Sequence, residues 1–133
     1  MLPRLLLDTH IVVRWLTQAR RLSREQGRVL DAAVRRMEPL ALSAISLLEL
    51  AVLASQGKMD LKMTIDEFFE HVQTRGVFQV FPLTYQVAAE AASLALLRDP
   101  ADRAIVATAR VERLRLVTSD QRIIESKLIP VIA

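Results

Sequence analysis

The sequence contains no cysteine among its 133 residues, which excludes disulfides and thiolate metal sites. Glycine and proline are scarce, with 3 and 5 residues, while 52% of the residues are hydrophobic. This composition excludes a disordered, collagen-like or linker protein. No apolar run reaches the roughly 20 residues that span a bilayer, because the most apolar stretch, 40–54, is interrupted by Ser43, Ser46 and Glu49. The absences together predict a packed globular protein that keeps any metal on oxygen or imidazole ligands.

The length of the chain predicts one compact domain over residues 1–133. Too few apolar residues precede Asp8 to form the hydrophobic part of a signal peptide. We therefore expect a cytoplasmic protein with no membrane association.

Positive charge is carried almost entirely by arginine, since only three of the 18 basic residues are lysine. The planar guanidinium group matches phosphate oxygens in a bidentate way, which favours a polyanionic partner such as nucleic acid or an acidic protein segment. A net charge of +3 is also an ordinary solubility charge for a small domain, so this second interpretation stays open.

Short apolar runs alternate with helical patterns along the whole chain. We expect strands at 4–8, 40–42, 77–81, 116–117 and 128–132. We expect helices at 11–16, 23–37, 43–54, 65–73, 85–97, 101–113 and 121–126. This alternation predicts an α/β protein, a three-layer α/β/α sandwich with a mainly parallel central sheet of about five strands.

Acidic residues occupy the places where such a sheet carries its functional site. Asp8 follows the first strand, Glu49 lies in the helix after the second, Asp99 and Asp102 begin the helix before the fourth, and Asp120 follows the fourth. In open parallel sheets ligands bind outside the carboxyl ends of the strands. Clustered carboxylates repel each other, so either some of them bind protons or the cluster recruits a cation. An all-oxygen site suits Mg²⁺ or Mn²⁺ bound to a phosphate substrate. Such a cation can activate a water molecule to hydrolyse a phosphodiester.

Each acid also has a purely structural interpretation. Glu49 can close a capping box with Ser46, and Asp99 can cap the helix that begins at Pro100. Asp102 can complement the dipole of that helix, Asp120 can cap the next one, and Asp8 can form an Asx turn with Thr9.

Four segments of the chain resemble, in order, the motifs of the PIN-domain family, and specifically of the VapC-type toxins of bacterial and archaeal toxin–antitoxin pairs. These segments are LLLDTH at 5–10, SAISLLEL at 43–50, DPADRAIVATA at 99–109 and LVTSD at 116–120. The resemblance extends over nearly the whole chain. It implies a PIN-like fold and a Mg²⁺- or Mn²⁺-dependent endoribonuclease, the toxin component of a type II toxin–antitoxin system.

The resemblance also implies roles for individual residues. The catalytic acids would be Asp8, Glu49, Asp102 and Asp120, with Asp8, Asp102 and Asp120 as metal ligands. The supporting residues would be Thr9, Ser46, Asp99, Arg103 and Ser119, where Arg103 pairs with a carboxylate or contacts phosphate.

The partners implied are an RNA substrate, a cognate antitoxin and a second copy of the chain, giving a homodimer and a heterotetramer or larger assembly with antitoxin. RNA contacts are expected from two arginine groups, which otherwise form solvated helix faces: Arg14, Arg20, Arg21, Arg24 and Arg28, and Arg110, Arg113, Arg115 and Arg122. Candidate docking surfaces are the apolar residues of the 47–53 helix and the region of Phe68, although the helical spacing of Phe68 and Phe69 also fits a place in the core or a subunit interface.

Two alternatives remain. A receiver-type signalling domain shares the size and the Mg²⁺ site, but the sequence lacks its paired acids after the first strand and its lysine after a late strand. A catalytically silent PIN domain would act as a binding module, which the presence of all four acids does not favour.

Overall fold

The computed structural model describes residues 1–74 and 76–133. Five strands form its sheet: β1 (Leu5–Leu7), β2 (Leu40–Ser43), β3 (Phe78–Phe81), β4 (Arg115–Val117) and β5 (Val131–Ile132). The helices are α1 (Thr9–Thr17), α2 (Arg24–Arg35), α3 (Ala44–Ser55), α4 (Ile65–Thr74), α5 (Tyr85–Ser93), α6 (Pro100–Glu112) and α7 (Gln121–Ser126). A short 3₁₀ turn, Ala19–Arg21, joins α1 to α2. The predicted fold class is confirmed.

All four strand pairings are parallel, in the order β3-β2-β1-β4-β5. The chain builds the sheet outward from β1 in one direction through β2 and β3, and then crosses to the other side of β1 for β4 and β5. The register pairs Leu6 with Leu116 across the two central strands. The strand order therefore reverses between β1 and β4, and this is the point at which open parallel sheets bind their ligands.

Helices cover both faces of the sheet, and the alternation within β1 shows how. Leu5 and Leu7 face a core that contains Ile11 of α1, Leu30 of α2 and Phe68 of α4. Leu6 faces the other core, whose helical members include the buried residues Val87, Ile105 and Ile123 of α5, α6 and α7. Because both faces are buried, the strands are continuous apolar runs, as is usual for parallel sheets.

Local signals begin and end the helices much as predicted. Ser23 and Gln26 form a reciprocal capping box at the start of α2. Gly57 follows the end of α3 with φ +68°, a backbone conformation that glycine adopts without steric cost.

Two boundaries differ from the predictions by more than two residues. Helix α5 ends at Ser93 and not at Leu97, because Leu94 and Leu97 turn into the core beneath it. Strand β5 begins at Val131 and not at Leu128, because the carbonyl of Leu128 accepts a hydrogen bond from Arg110 outside the sheet.

Phe68 itself cannot form part of a docking surface, whereas Phe69 beside it is half-buried. Phe68 is 1% exposed and, with Val72 one helical turn later, packs into the core. Among the described residues, none of the helices combines the length and hydrophobicity required to cross a bilayer.

Candidate active site

A cleft of about 290 Å³ opens at the carboxyl ends of β1 and β4. All four acids predicted to be catalytic lie in its wall, although they come from four separate segments of the chain. The lining residues are Asp8, His10, Ile11, Arg14, Glu49, Asp99, Asp102, Ser119, Asp120 and Arg122. The structure therefore brings together the carboxylates that the sequence placed after the strands.

Asp8 is held in position by hydrogen bonds to both of its carboxylate oxygens. Its Oδ1 accepts from the backbone N–H of Thr9 at 2.8 Å, which caps α1, and its Oδ2 accepts from the hydroxyl of Thr118 at 2.7 Å. Asp8 is only 7% exposed. This burial raises the pKa of Asp8 above its ordinary range, against the lowering effect of the two hydrogen bonds. The Asx-type contact with Thr9 is thus present, but it leaves the carboxylate facing the cleft.

Thr118 ties the ends of the two central strands together. Its hydroxyl donates to Asp8 and accepts a hydrogen bond from the backbone N–H of Asp120 at 3.1 Å. Thr118 itself is fully buried. One side chain therefore fixes the separation between the acid after β1 and the acid after β4.

Glu49 is oriented by Thr9, the residue next to Asp8. The Thr9 hydroxyl donates to Glu49 Oε1 at 2.6 Å and lies 3.0 Å from the hydroxyl oxygen of Ser46. A hydroxyl carries one proton, so Ser46 must donate to Thr9 in turn. Burial raises the pKa of Glu49, and the negative charges of Asp8 and Asp99 add to the effect.

The interpretation of Glu49 as the partner of Ser46 in a capping box is wrong. Helix α3 is capped by Ser43, whose hydroxyl accepts from the N–H of Ile45. Glu49 therefore lies in the second turn of the helix, where its carboxylate points to Thr9 and not to the helix start.

The first turn of α6 contributes two acids. Asp99 is the N-cap, since its Oδ1 accepts from the N–H of Ala101 at 2.8 Å, and Pro100 occupies the first helical position. Asp102 is the third residue of the helix, and its side chain is 15% exposed. Burial, followed by the charges of Asp99, Asp120 and Asp8, raises the pKa of Asp102 to about 6. The cleft therefore holds more negative charge than it can easily keep ionised.

Arg122 provides a positive charge at this point. Its guanidinium Nη2 lies 3.1 Å from Asp120 Oδ2 and 3.7 Å from Asp102 Oδ2. Asp120 also caps α7 by accepting from the N–H of Arg122 at 2.9 Å, as one of the structural interpretations predicted. Burial acts to raise the pKa of Asp120, but the hydrogen bonds and charge of Arg122 outweigh it and lower that pKa below its ordinary value.

The side chains of the cleft suit a hard divalent cation in their chemistry. Their donors are carboxylate oxygens, burial and then mutual repulsion raise the pKa of Asp102, and the position between Asp102 and Asp120 already attracts a guanidinium group. Within residues 1–74 and 76–133, however, no three acidic or histidine side chains lie close enough together to hold a metal ion. A bound cation would require the acids to close in and Arg122 to move aside.

The predicted supporting residues divide into two groups. Asp99 and Ser119 line the cleft, whereas the buried Thr9 and Ser46 lie behind it and position Glu49. Arg103 does neither: its Nε donates to the backbone carbonyl of Leu97. In the part of the chain that the structure describes it pairs with no carboxylate, so the expected ion pair of Arg103 is absent.

The arginines predicted to contact RNA are spread over the surface. Arg14 lines the cleft, whereas Arg20, Arg21 and Arg24 are exposed on the 3₁₀ turn and the start of α2. Arg110 and Arg113 lie at the far end of α6 and line a different cavity.

Sequence reasoning missed Thr118 and Gln26 as residues that shape this site, and it expected Arg122 to contact RNA without its contacts to the acids. Thr118 and Arg122 flank Asp120 at two positions on either side, and such spacing alone does not show that they also contact Asp8 and Asp102. Gln26 is fully buried in α2, and its amide nitrogen donates to Ser119 Oγ at 3.0 Å and to the carbonyl of Thr118 at 3.2 Å. A glutamine inside a capping-box pattern gave no signal of this second contact.

Comparison with known proteins gives a consistent result. Residues 5–127 match the family model of the PIN domain. The chain is 38% identical over 124 residues to ribonuclease VapC22 of Mycobacterium tuberculosis, which covers 89% of this chain and 88% of that protein.

Solved structures share the fold over nearly the full length. The crystal structure of FitAcB from Neisseria gonorrhoeae superposes with a TM-score of 0.71 at 23% identity, covering 97% of this chain and 96% of that one. VapBC2 from Rickettsia felis, bound to a DNA fragment from its promoter, gives a TM-score of 0.72 at 17% identity, covering 99% and 98%. At these identities the likeness shows the fold alone.

Proposed function

This chain belongs to the PIN-domain family, and from that membership and the acid-lined cleft we propose that it is a metal-dependent endoribonuclease, the toxin of a toxin–antitoxin pair. The observation that carries the proposal is the convergence of Asp8, Glu49, Asp102 and Asp120 on one cleft where the strand order reverses. The relative that is 38% identical is named a ribonuclease, which supports RNA as the substrate.

Asp8, Asp102 and Asp120 would hold Mg²⁺ or Mn²⁺. When bound, such a cation lowers the pKa of water and offsets the charge that develops on phosphate oxygens. Thr118 keeps the carboxylate of Asp8 and the backbone of Asp120 at a fixed distance. Thr118 thus holds these two positions ready, while closing the site around a cation still requires the acidic side chains and Arg122 to move.

Glu49 would receive the proton that leaves the attacking water. The Thr9 hydroxyl occupies Oε1, so Oε2 is the oxygen left to accept the proton. Burial and the neighbouring negative charges raise the pKa of Glu49, which makes it a better base than an exposed glutamate.

Cleavage of single-stranded RNA tests this proposal. We expect the purified protein to cut RNA with Mg²⁺ or Mn²⁺, to stop with EDTA, and to leave a 5′-phosphate and a 3′-hydroxyl. Asp8→Asn should remove this activity, whereas Asp66→Asn, an exposed acid in the first turn of α4, should not. Cleavage that persists undiminished in Asp8→Asn would contradict the metal-water mechanism.

The toxin assignment includes an antitoxin partner and a second copy of the chain. Leu48 and Val52, four residues apart on α3, are 59% and 43% exposed, and they form the part of the predicted docking surface that remains at the surface. We expect expression of the wild-type chain to arrest growth and Asp102→Asn to be harmless. Harmless expression of the wild-type chain would count against the toxin assignment, even if the protein cleaves RNA in vitro.

A further inference from the structure

Two adjoining cavities lie at the amino ends of the strands, opposite the acidic cleft. One has a volume of about 540 Å³ and lies at the end of α6 and the start of β4. The other, of about 220 Å³, is lined by residues of α2 and by those before β1 and β2. Arg115, the first residue of β4, lines both, so the two cavities adjoin at this residue, and we call them together the amino-end surface.

Arginine dominates this surface. Its lining includes two glutamates, Glu38 and Glu90, and each already pairs with an arginine, at 2.7 Å and 2.6 Å. The arginines that line it are Arg4, Arg28, Arg36, Arg110, Arg113 and Arg115.

Three of these arginines have no acidic partner. Arg28 pairs with Glu25, but Arg36, Arg113 and Arg115 make no ion pair with any residue that the structure describes. All three are exposed. The amino-end surface therefore has three arginines without an ion pair among the described residues, although Glu25 lies close enough to Arg115 for the pKa of Glu25 to be lowered, after the larger effect of Arg28.

We propose that the amino-end surface is a second binding site for the phosphate backbone of RNA, separate from the cleft. The inference rests on the proposed nuclease function and adds a substrate class to it: long or folded RNA in preference to short single strands. Guanidinium groups bind phosphates in a bidentate way without reading bases, and a row of them follows a chain of phosphates. An acidic peptide fits less well, because the unpaired arginines are spread over two cavities and do not converge on one pocket.

The geometry explains why only long RNA would use both sites. Along β1, the amino and carboxyl ends of the strand are about 13 Å apart, measured from Arg4 to Asp8. Helices about 10 Å thick cover both faces of the sheet. An RNA strand that leaves the cleft must therefore pass around a helical layer to reach Arg113 and Arg115. A tetranucleotide bound in the cleft is too short for that path.

Binding and cleavage measured on two RNAs test the proposal. The variant is Arg113→Gln combined with Arg115→Gln, and the probes are a folded transcript of about 75 nucleotides and a tetranucleotide. With EDTA present, we expect the double variant to bind the transcript about tenfold more weakly, with a salt slope lower by about 1.5, because two phosphate contacts are lost. With Mn²⁺ present, its kcat/KM on the tetranucleotide should stay within about twofold of wild type.

The matched control removes the same charge elsewhere. Lys58 and Lys62 are exposed in the loop between α3 and α4 and line neither cavity, so Lys58→Gln combined with Lys62→Gln should bind the transcript as wild type does. Equal losses in both double variants would overturn the proposal, as would wild-type affinity in the arginine variant. Polyglutamate of matched charge that displaces the transcript as well as unlabelled RNA does would instead assign the surface to an acidic protein segment. If the wild-type protein cleaves neither RNA, the nuclease function fails, and the binding comparison in EDTA still decides on the second site.

Discussion

The carboxyl ends of the strands carry negative charge that is largely buried, whereas their amino ends carry positive charge that is exposed to water. At the carboxyl ends, Asp8 is buried and Glu49 and Asp102 are half-buried, and desolvation and mutual repulsion raise the pKa values of all three. At the amino-end surface, the charges of Arg113 and Arg115 are exposed to water. Charge at the carboxyl ends of the strands therefore costs stability, whereas charge at their amino ends costs almost nothing.

The strongest test of this comparison is Asp102→Asn. We expect it to reduce RNA cleavage by at least about 100-fold, since a metal ligand is lost, and yet to stabilise the metal-free protein at pH 7 by about 1–2 kcal/mol. The reason is that Asp102 ionises with a pKa of about 6 in the folded protein and 3.8 when free, so folding is opposed by its charge at neutral pH. Urea unfolding in EDTA measures the stability, and a destabilised variant would break the comparison.

The same residue predicts a pH dependence. A carboxyl with a raised pKa binds its proton more tightly in the folded state, so its contribution is most favourable below about pH 4 and is lost as the pH rises to about 6. We therefore expect the difference in stability between Asp102→Asn and wild type to be small at pH 4 and to grow up to pH 7. A constant difference over this range would show that burial does not raise the pKa of Asp102.

Thr118→Val tests how the acids are held. The change leaves Asp8 Oδ2 and the N–H of Asp120 without their shared partner, so we expect a loss of about 1–3 kcal/mol and a roughly tenfold or greater fall in cleavage. Thr108→Val is the control, because the equally buried Thr108 hydroxyl donates only to the carbonyl of Ala104 in its own helix. Equal losses of activity in the two variants would argue against a role of Thr118 in positioning.

Arg122→Gln should sharpen the contrast within the acidic cleft. Removing the guanidinium from Asp102 and Asp120 should tighten Mn²⁺ binding by about fivefold, the effect expected of one largely exposed ion pair. Arg14→Gln removes the same charge from the same cleft but breaks no ion pair among the described residues, so its effect should be smaller. Titration calorimetry with Mn²⁺ distinguishes the two, and weaker binding in Arg122→Gln would contradict competition.

The smallest effect on stability is expected at the amino-end surface. Replacing Arg113 and Arg115 by Gln should change the free energy of unfolding by no more than about 0.5 kcal/mol, since both side chains are exposed and unpaired within the described chain. A larger change in the urea midpoint would mean that the arginines of the amino-end surface also stabilise the fold.

Much of the fold could be predicted from sequence because strand residues such as Leu5–Leu7 are buried on both faces and read as apolar runs. The acids were found because a parallel sheet collects the residues that follow its strands. Contacts that depend on strand order could not be predicted: Thr118 meets Asp8 only because β4 lies beside β1, 110 residues away in sequence. The choice between core and surface for Phe68 could not be made for a related reason, because helical spacing alone does not say which face of α4 meets the core.

Three of the acids in the cleft also begin helices: Asp8 caps α1, Asp99 caps α6 and Asp120 caps α7. Asparagine caps a helix about as well as aspartate, whereas alanine does not. An amide at these positions therefore separates the two duties of the side chain, keeping the helix start while removing the charge. Alanine scanning would confuse them, and a loss of activity would then report a frayed helix as readily as a missing ligand.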